Sequence, residues 1–300
     1  MKKLSILFVL SVLTLCISTF ANQTTSIIPN YKTSIDWVAD GVFTKGIEGP
    51  AVSADGSLYV VNYQEQGTIG RVIAKNTVER FVTLGNGSIG NGIRFDSAGN
   101  MYIADYVNHN ILLINKAVVE GNADKKIHVY ANSPHMNQPN DIAMMANGII
   151  LASDPNWSAG TGNLWRISRQ QKITLLEKNM GTTNGIAVSH DNKTLYVNES
   201  VQRNIWQYIL NSSGEVTNKQ LLIKFSDHGL DGMRAHSNGK LYIARYGKGV
   251  VAVVSPEGEL LEEITLKGKY PTNLAFGGVN GKQVFVTMQQ RGAIETFFIK

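Results

Sequence analysis

The sequence repeats itself six times. EGPAVSADGSLYV from Glu48 returns as NGIRFDSAGNMYI from Asn91, NDIAMMANGIILA from Asn140, NGIAVSHDNKTLYV from Asn184, DGMRAHSNGKLYI from Asp231 and NLAFGGVNGKQVFV from Asn273. Successive copies start 43, 49, 44, 47 and 42 residues apart. A period of that size holds one supersecondary unit that cannot bury its apolar face alone, so neighbouring copies must stack. Eight residues after each start stand Gly56, Gly99, Gly148, Asn192, Gly239 and Gly281. Five glycines and one asparagine at a single offset mark a backbone position of positive φ, the tip of a hairpin. Apolar residues alternate or run on both sides of that tip, and Tyr59, Tyr102, Tyr196 and Tyr242 recur on the second strand. Further β-like runs follow, such as NILLINK from Asn110, GNLWRIS from Gly162, NIWQYIL from Asn204 and GVVAVVS from Gly249.

Four strands in each period of about 45 residues make the blade of a β-propeller. The spacing therefore predicts an all-β, six-bladed β-propeller with four-stranded blades around an axis, read as one domain over residues 34–300. The segment from Ser34 to Val42 precedes the first copy and is expected to supply the outer strand of the last blade. Closing the ring in that way leaves only short, protected strand edges.

Turn chemistry accounts for the residue at offset eight but not for the first position of each copy. All six residues there, Glu48, Asn91, Asn140, Asn184, Asp231 and Asn273, carry side-chain oxygen. The first strand of every blade lines the axis of a propeller, so equivalent positions form a ring aimed at one point. Six convergent oxygen side chains, two of them carboxylates, have the composition of a site for a hard cation.

With these motifs in order, EGP at 48–50, PND at 139–141, NGIAVSHDNKTLYVNES from 184, DGMRAHSNGKLYIA from 231 and PTNLAFGG from 271, the chain resembles the gluconolactonase and regucalcin (senescence marker protein) family. The resemblance implies one divalent cation in the axial tunnel, calcium before zinc or manganese, with Glu48, Asn140, Asn184 and Asp231 as metal ligands. It also implies hydrolysis of a lactone or related ester, with Glu48 and Asp231 as the catalytic pair. The cation would polarise the carbonyl, and Asp231 is a candidate to accept a proton from water. Asn91, Asn273, His228 and His135 are candidate substrate contacts. The arginine that precedes the third-blade motif in some members is absent, since Gln138 and Pro139 stand there. The alternative to a hydrolase is a non-catalytic binding propeller of the NHL-repeat kind whose metal is structural.

Composition narrows the remaining choices. A chain of 300 residues with 43% apolar content is long enough to bury a sizeable core. Residues 1–21 combine Lys2 and Lys3, an uncharged run from Leu4 to Ile17, and the Thr19-Phe20-Ala21 end of a signal peptide, leaving 22–33 as an N-terminal extension. An exported protein, periplasmic or secreted, with no stable membrane insertion is expected. Cys16 is the only cysteine and lies in that leader, so disulfides, zinc–thiolate sites and a cysteine nucleophile are absent from the mature chain. Loss of Lys2 and Lys3 lowers the formal charge from +5 to +3, without clustered bases, which excludes a nucleic-acid footprint. No HExxH or GxSxG motif occurs. Met136, Met144, Met145 and Met233 sit near two of the ring motifs and suggest an apolar pocket lining. The expected partner is a small lactone or ester, bound by a monomer.

Overall fold

The computed structural model describes residues 31–300. The expected leader, residues 1–21, and the extension up to residue 30 lie outside the described residues.

Six four-stranded antiparallel sheets follow one another around an axis. The described chain begins with β1 (Ile35–Val38) and then enters the first blade, β2 (Phe43–Val52), β3 (Leu58–Tyr63), β4 (Thr68–Ala74) and β5 (Thr77–Thr83). The second blade is β6 (Gly90–Phe95), β7 (Met101–Asp105), β8 (Asn110–Ile114) and β9 (Ile127–Asn132). The third is β10 (Ile142–Met144), β11 (Ile150–Asn156), β12 (Thr161–Ile167) and β13 (Ile173–Met180). The fourth is β14 (Thr183–Val188), β15 (Thr194–Glu199), β16 (Asn204–Leu210) and β17 (Val216–Lys224), and the fifth is β18 (Met233–Ala235), β19 (Leu241–Arg245), β20 (Val250–Val254) and β21 (Leu260–Thr265). The sixth contains β22 (Pro271–Gly277), β23 (Gln283–Met288) and β24 (Ala293–Phe298), and its fourth strand is β1.

The ring thus closes as the repeat predicts. Ile35 lies opposite Thr296 and Asp36 opposite Glu295 in an antiparallel pair. Arg291 reaches Asp36 at 2.9 Å and Glu295 at 2.7 Å, tying the closing strand to the strand it joins. Val38 on β1 and Ile294 on β24 then pack with Phe43, Ile47 and Leu58 of the first blade in one apolar cluster.

The same arrangement recurs at every junction. Each of six buried clusters draws its residues from two neighbouring blades, so the core is a set of six wedges between sheets rather than one central mass. The recurring tyrosines of the second strands are buried in these wedges. Tyr59 meets Phe81 and, across the blade junction, Phe95 edge to face at ring separations of 5.0 and 5.5 Å, a geometry aromatic quadrupoles favour. Met136, Met145 and Met233 are also fully packed in wedges, and Met144 lines a separate surface cleft. None of the four lines the axial cavity, so the apolar pocket lining expected from the methionines is not found there.

All six residues at offset eight have positive φ, from 60° at Asn192 to 90° at Gly99. They are the tips of the hairpins. The glycines that follow the first position of four copies have a different cause. A Cβ on Gly49 would fall 1.8 Å from the Asn91 carbonyl oxygen, and one on Gly232 would fall 2.0 Å from Asn273 Cγ. Gly232 has no positive φ, so the Asp-Gly pair there is not a turn; the glycine leaves room for the Asn273 side chain of the next blade. The only helical turns among the described strands are α1 (Lys116–Val119) and a 3₁₀ turn at Val279–Gly281. No described helix is long and apolar enough to cross a membrane.

Gly49 is where φ (+55°) and a backbone collision act together, whereas Gly56 (φ +86°) has open space beside it. Gly56→Ala should therefore cost about 1–2 kcal/mol through backbone strain alone, and Gly49→Ala clearly more. Equilibrium denaturation of the two variants side by side checks this order; equal losses would show that the axial approach of the blades is loose.

Candidate active site in the axial cavity

The innermost strands converge on a cavity of about 350 Å³ that opens to solvent on one face. Its lining includes Glu48, Asn91, Asn140, Asn184 and Asp231, five of the six first-position residues. Asn273 is the exception. It is buried immediately alongside, with its Oδ1 accepting the Leu274 N–H at 2.9 Å and its Nδ2 directed at Asp141, 3.5 Å away. His135 and His228 are not among the lining residues. His135 is exposed, and His228 stands half-exposed with its Nδ1 3.2 Å from the Asp227 carboxylate.

Two features make this cluster unusual. The first is a pair of buried amide oxygens, Asn140 Oδ1 and Asn184 Oδ1, that accept no hydrogen bond from any described group. Buried polar atoms are nearly always paired, and those that are not point to an ion or ligand. The second is charge. Burial pushes the Glu48 carboxyl up to about 7, and the nearby Asp141 carboxylate adds to the rise; the Gly49 N–H, the Asn273 amide and Arg234 oppose it. Burial also raises Asp231 well above the ordinary carboxylate value, with the charge of Glu48 as the next cause. Two raised carboxyls, one pushed further by the charge of the other, beside two orphaned amide oxygens fit a hard divalent cation. Neither thiolate nor imidazole contributes, and no described group of three or more His, Cys, Asp and Glu is arranged to hold a metal. Any ion here depends on the two asparagines.

Beneath the carboxylates lies a network that sequence reasoning missed. Asp141, fully buried, receives Arg94 at 3.0 Å and Arg234 at 3.0 Å. Burial alone would raise the Asp141 carboxyl, but the two guanidiniums hold it below the usual range. Burial and repulsion from Arg94 bring Arg234 down to about 10, which leaves it charged at neutral pH. Only when Glu48 and Asp231 are both ionised do three carboxylates face two guanidiniums, an excess of one negative charge at the axis. Arg94 and Arg234 stand three residues after Asn91 and Asp231, the same offset in two copies. That coincidence was readable, yet nothing local says that blades two and five share a carboxylate from blade three.

A second ring supports the first. Fourteen residues after each first position come Asn62, Asp105, Asp154, Asn198, Arg245 and Thr287, all polar and all at most 2% exposed. Each ties down the loop that leads into the axis. Asp154 accepts the Asn137 and Gln138 N–H groups at 2.7 and 2.6 Å, and Arg245 grips Asp227 through its carbonyl at 2.6 Å and its carboxylate at 2.7 Å. Thr287 Oγ1 accepts the Asn273 N–H at 3.0 Å. Asn198 bridges two blades, accepting the Gly185 N–H at 3.1 Å and donating to the Asp231 carbonyl at 2.6 Å. The fixed offset was available in the sequence, but Asn, Asp, Arg and Thr share no single chemistry that would flag it.

Above the carboxylates the wall is formed by Tyr106, Trp157 and Tyr246 among others, giving the cavity aromatic surface around a polar floor. Tyr246 is fixed by its hydroxyl, which donates to Gln289 Oε1 at 2.6 Å, and by edge-to-face packing on Tyr270.

Comparison with known proteins places this architecture. The chain is 28% identical over 225 residues to the gluconolactonase of Zymomonas mobilis, covering 66% of this chain and 60% of that one. It is 30% identical over 129 residues to the 6-deoxy-6-sulfogluconolactonase of Pseudomonas putida, 42% of this chain and 44% of that one. The alignments thus span about half the length of these relatives. Among solved structures, the calcium-binding protein regucalcin of Agrobacterium tumefaciens superposes with a TM-score of 0.76 at 20% identity, covering 88% of this chain and 94% of that one; at that identity the likeness is one of fold. Residues 47–290 match the family described as the SMP-30/Gluconolactonase/LRE-like region, and the match takes in every blade and all six first-position residues. The chain belongs to the SMP-30/Gluconolactonase/LRE-like family, a family of gluconolactonase-like proteins.

Proposed function

We propose that this protein is a divalent-metal-dependent lactonase, exported under the direction of the leader-like residues 1–21. The observation that carries the reading is the meeting, in one cavity, of the orphaned Asn140 and Asn184 oxygens with the raised carboxyls of Glu48 and Asp231. Relatives named as gluconolactonases support the substrate class, and calcium suits an all-oxygen donor set of carboxylates and amides.

Glu48, Asn140, Asn184 and Asp231 would hold the cation. When bound, it supplies a Lewis acid for the lactone carbonyl and favours the ionised forms of Glu48 and Asp231. The residues have separate tasks. Glu48 is held in place by the Gly49 N–H, which donates to its Oε2 at 2.9 Å. Asn198 fixes the backbone of Asp231 and, through Gly185, the backbone beside Asn184. Hydrolysis adds a water oxygen to the carbonyl carbon and breaks the ring C–O bond. Asp231 is the cavity carboxylate we assign to take the water's proton, which then passes to the ring oxygen as it departs. Trp157, Tyr106 and Tyr246 offer flat apolar faces to the lactone ring and limit the access of bulk water.

Turnover of a panel of sugar and hydrophobic lactones should disappear in chelator and return with calcium. Glu48→Gln and Asp231→Asn should each lower kcat/KM by at least about a hundredfold and weaken calcium binding measured by calorimetry. Full activity of either variant in chelating buffer would overturn the metal-dependent reading.

A pH test follows from the raised carboxyls of the metal-free protein. Both groups bind protons more tightly in the fold than in the unfolded chain, so their contribution to stability is complete below the ordinary carboxylate pKa. It is lost as pH rises through about 7, the value for Glu48. The melting temperature in chelator should therefore fall between pH 5 and pH 8, by an amount equivalent to a few kcal/mol, and Glu48→Gln should flatten that fall. Calcium should restore stability most strongly at the alkaline end. A metal-free protein whose stability is independent of pH over this range would show that the fold does not raise these carboxyls.

A further inference from the structure

The cavity wall carries one charged side chain besides the carboxylates of its floor, and that is Lys45. It is exposed, and its ammonium makes no ion pair, hydrogen bond or cation–π contact with any described residue. The position three residues before each repeat start is otherwise occupied by groups with partners or by no side chain. Ser88 accepts a hydrogen bond from Asn108 at 3.0 Å, Asn137 donates to Asp154 at 3.2 Å, and Tyr270 packs on Tyr246.

The backbone is shaped to present this lysine. Phe43 pairs with Tyr63 and Glu48 with Val61, so five steps along β2 face only two along β3 and residues 44–47 bulge out of the ladder. Bulges next to active sites re-aim side chains. Here the bulge is pinned by Asn62, which is buried in a left-handed conformation at φ +66°. Its Nδ2 donates to the Gly46 carbonyl at 2.6 Å and its Oδ1 accepts the Gly67 N–H at 3.0 Å. A buried non-glycine residue held at positive φ is a strained arrangement of the kind that gathers at functional sites.

Electrostatics determines what the lysine can serve. A divalent cation on the floor balances the charges of Glu48 and Asp231, and the wall offers no carboxylate to Lys45. The working cavity then presents an uncompensated positive charge at its mouth. We propose that Lys45 binds an oxyanion carried by the substrate at the end remote from the lactone carbonyl, so that this protein acts on acidic lactones in preference to neutral ones. The proposal rests on the lactonase reading, and it concerns the substrate's second functional group.

Glucarate and gluconate differ by a carboxylate in place of a terminal hydroxymethyl group and serve as probes. Calorimetric titration of the calcium-loaded full chain should show glucarate binding about tenfold more tightly than gluconate. Lys45→Met should abolish that preference, Lys45→Arg should keep most of it, and raising the ionic strength should reduce it. The ratio of kcat/KM for glucarolactone over gluconolactone should follow the same order, with the change in KM. Equal binding of the two acids by the unmodified protein, or a preference that survives in Lys45→Met, would overturn the assignment. Failure of the lactonase reading would look different: neither lactone would be hydrolysed, while the binding preference and its dependence on Lys45 would remain.

Discussion

Everything at the centre of this propeller is organised around one unfavourable fact, that Glu48 and Asp231 are buried together. Burial raises both carboxyls, and the charge of Glu48 raises Asp231 further. The fold leaves the repulsion in place and puts acceptors, the Asn140 and Asn184 oxygens, beside it without donors. An arrangement of acceptors alone is costly in an empty protein and favourable around a cation. Asp141, a third buried carboxylate, is neutralised from two sides by Arg94 and Arg234. The axis therefore has a paired ionic layer below and an unpaired layer above, and only the upper one opens to the cavity.

Holding six chain segments at that axis against such repulsion requires a rigid surround. It comes from the wedges of apolar side chains between blades and from the polar ring of Asn62, Asp105, Asp154, Asn198, Arg245 and Thr287. The wedges set the distance between sheets, and their apolar area drives the stacking. The polar ring orients the loops, because every member is buried and each satisfies backbone groups that would otherwise lie unpaired near the axis. Asn198 shows the division of labour: it touches no reactive group, yet it joins the backbone of the fourth blade to that of Asp231 in the fifth. Closure by β1 completes the constraint, since Arg291 joins Asp36 on the first described strand to Glu295 on the last.

The architecture and the site differed in how openly they were written in the chain. Six copies with a positive-φ residue at offset eight fixed the blade count, the strand pattern and the hairpin tips, because those depend on local periodicity and local backbone strain. The convergence of the first-position residues followed from symmetry alone, and five of the six line one cavity. Asn273 is the instructive one. It occupies the equivalent place, but it is turned into the buried layer towards Asp141, because Gly232 lets it pack close against the neighbouring strand. The methionines near the ring motifs illustrate the same limit, since their sequence neighbours reach the axis while none of the four lines its cavity.

By itself, then, the sequence determined the propeller, its sixfold division, its closing strand and the oxygen-bearing ring, all of which arise from patterns repeated within each copy. The tertiary structure alone decided which side chains meet across copies: Arg94 and Arg234 on Asp141, Asn198 on Asp231, and the bulge at 44–47 that turns Lys45 into the cavity. The physical reason is that those contacts join residues between 16 and 93 positions apart. Their geometry depends on the distance between blades, and that distance is set by packing in the wedges rather than by any local feature of the chain.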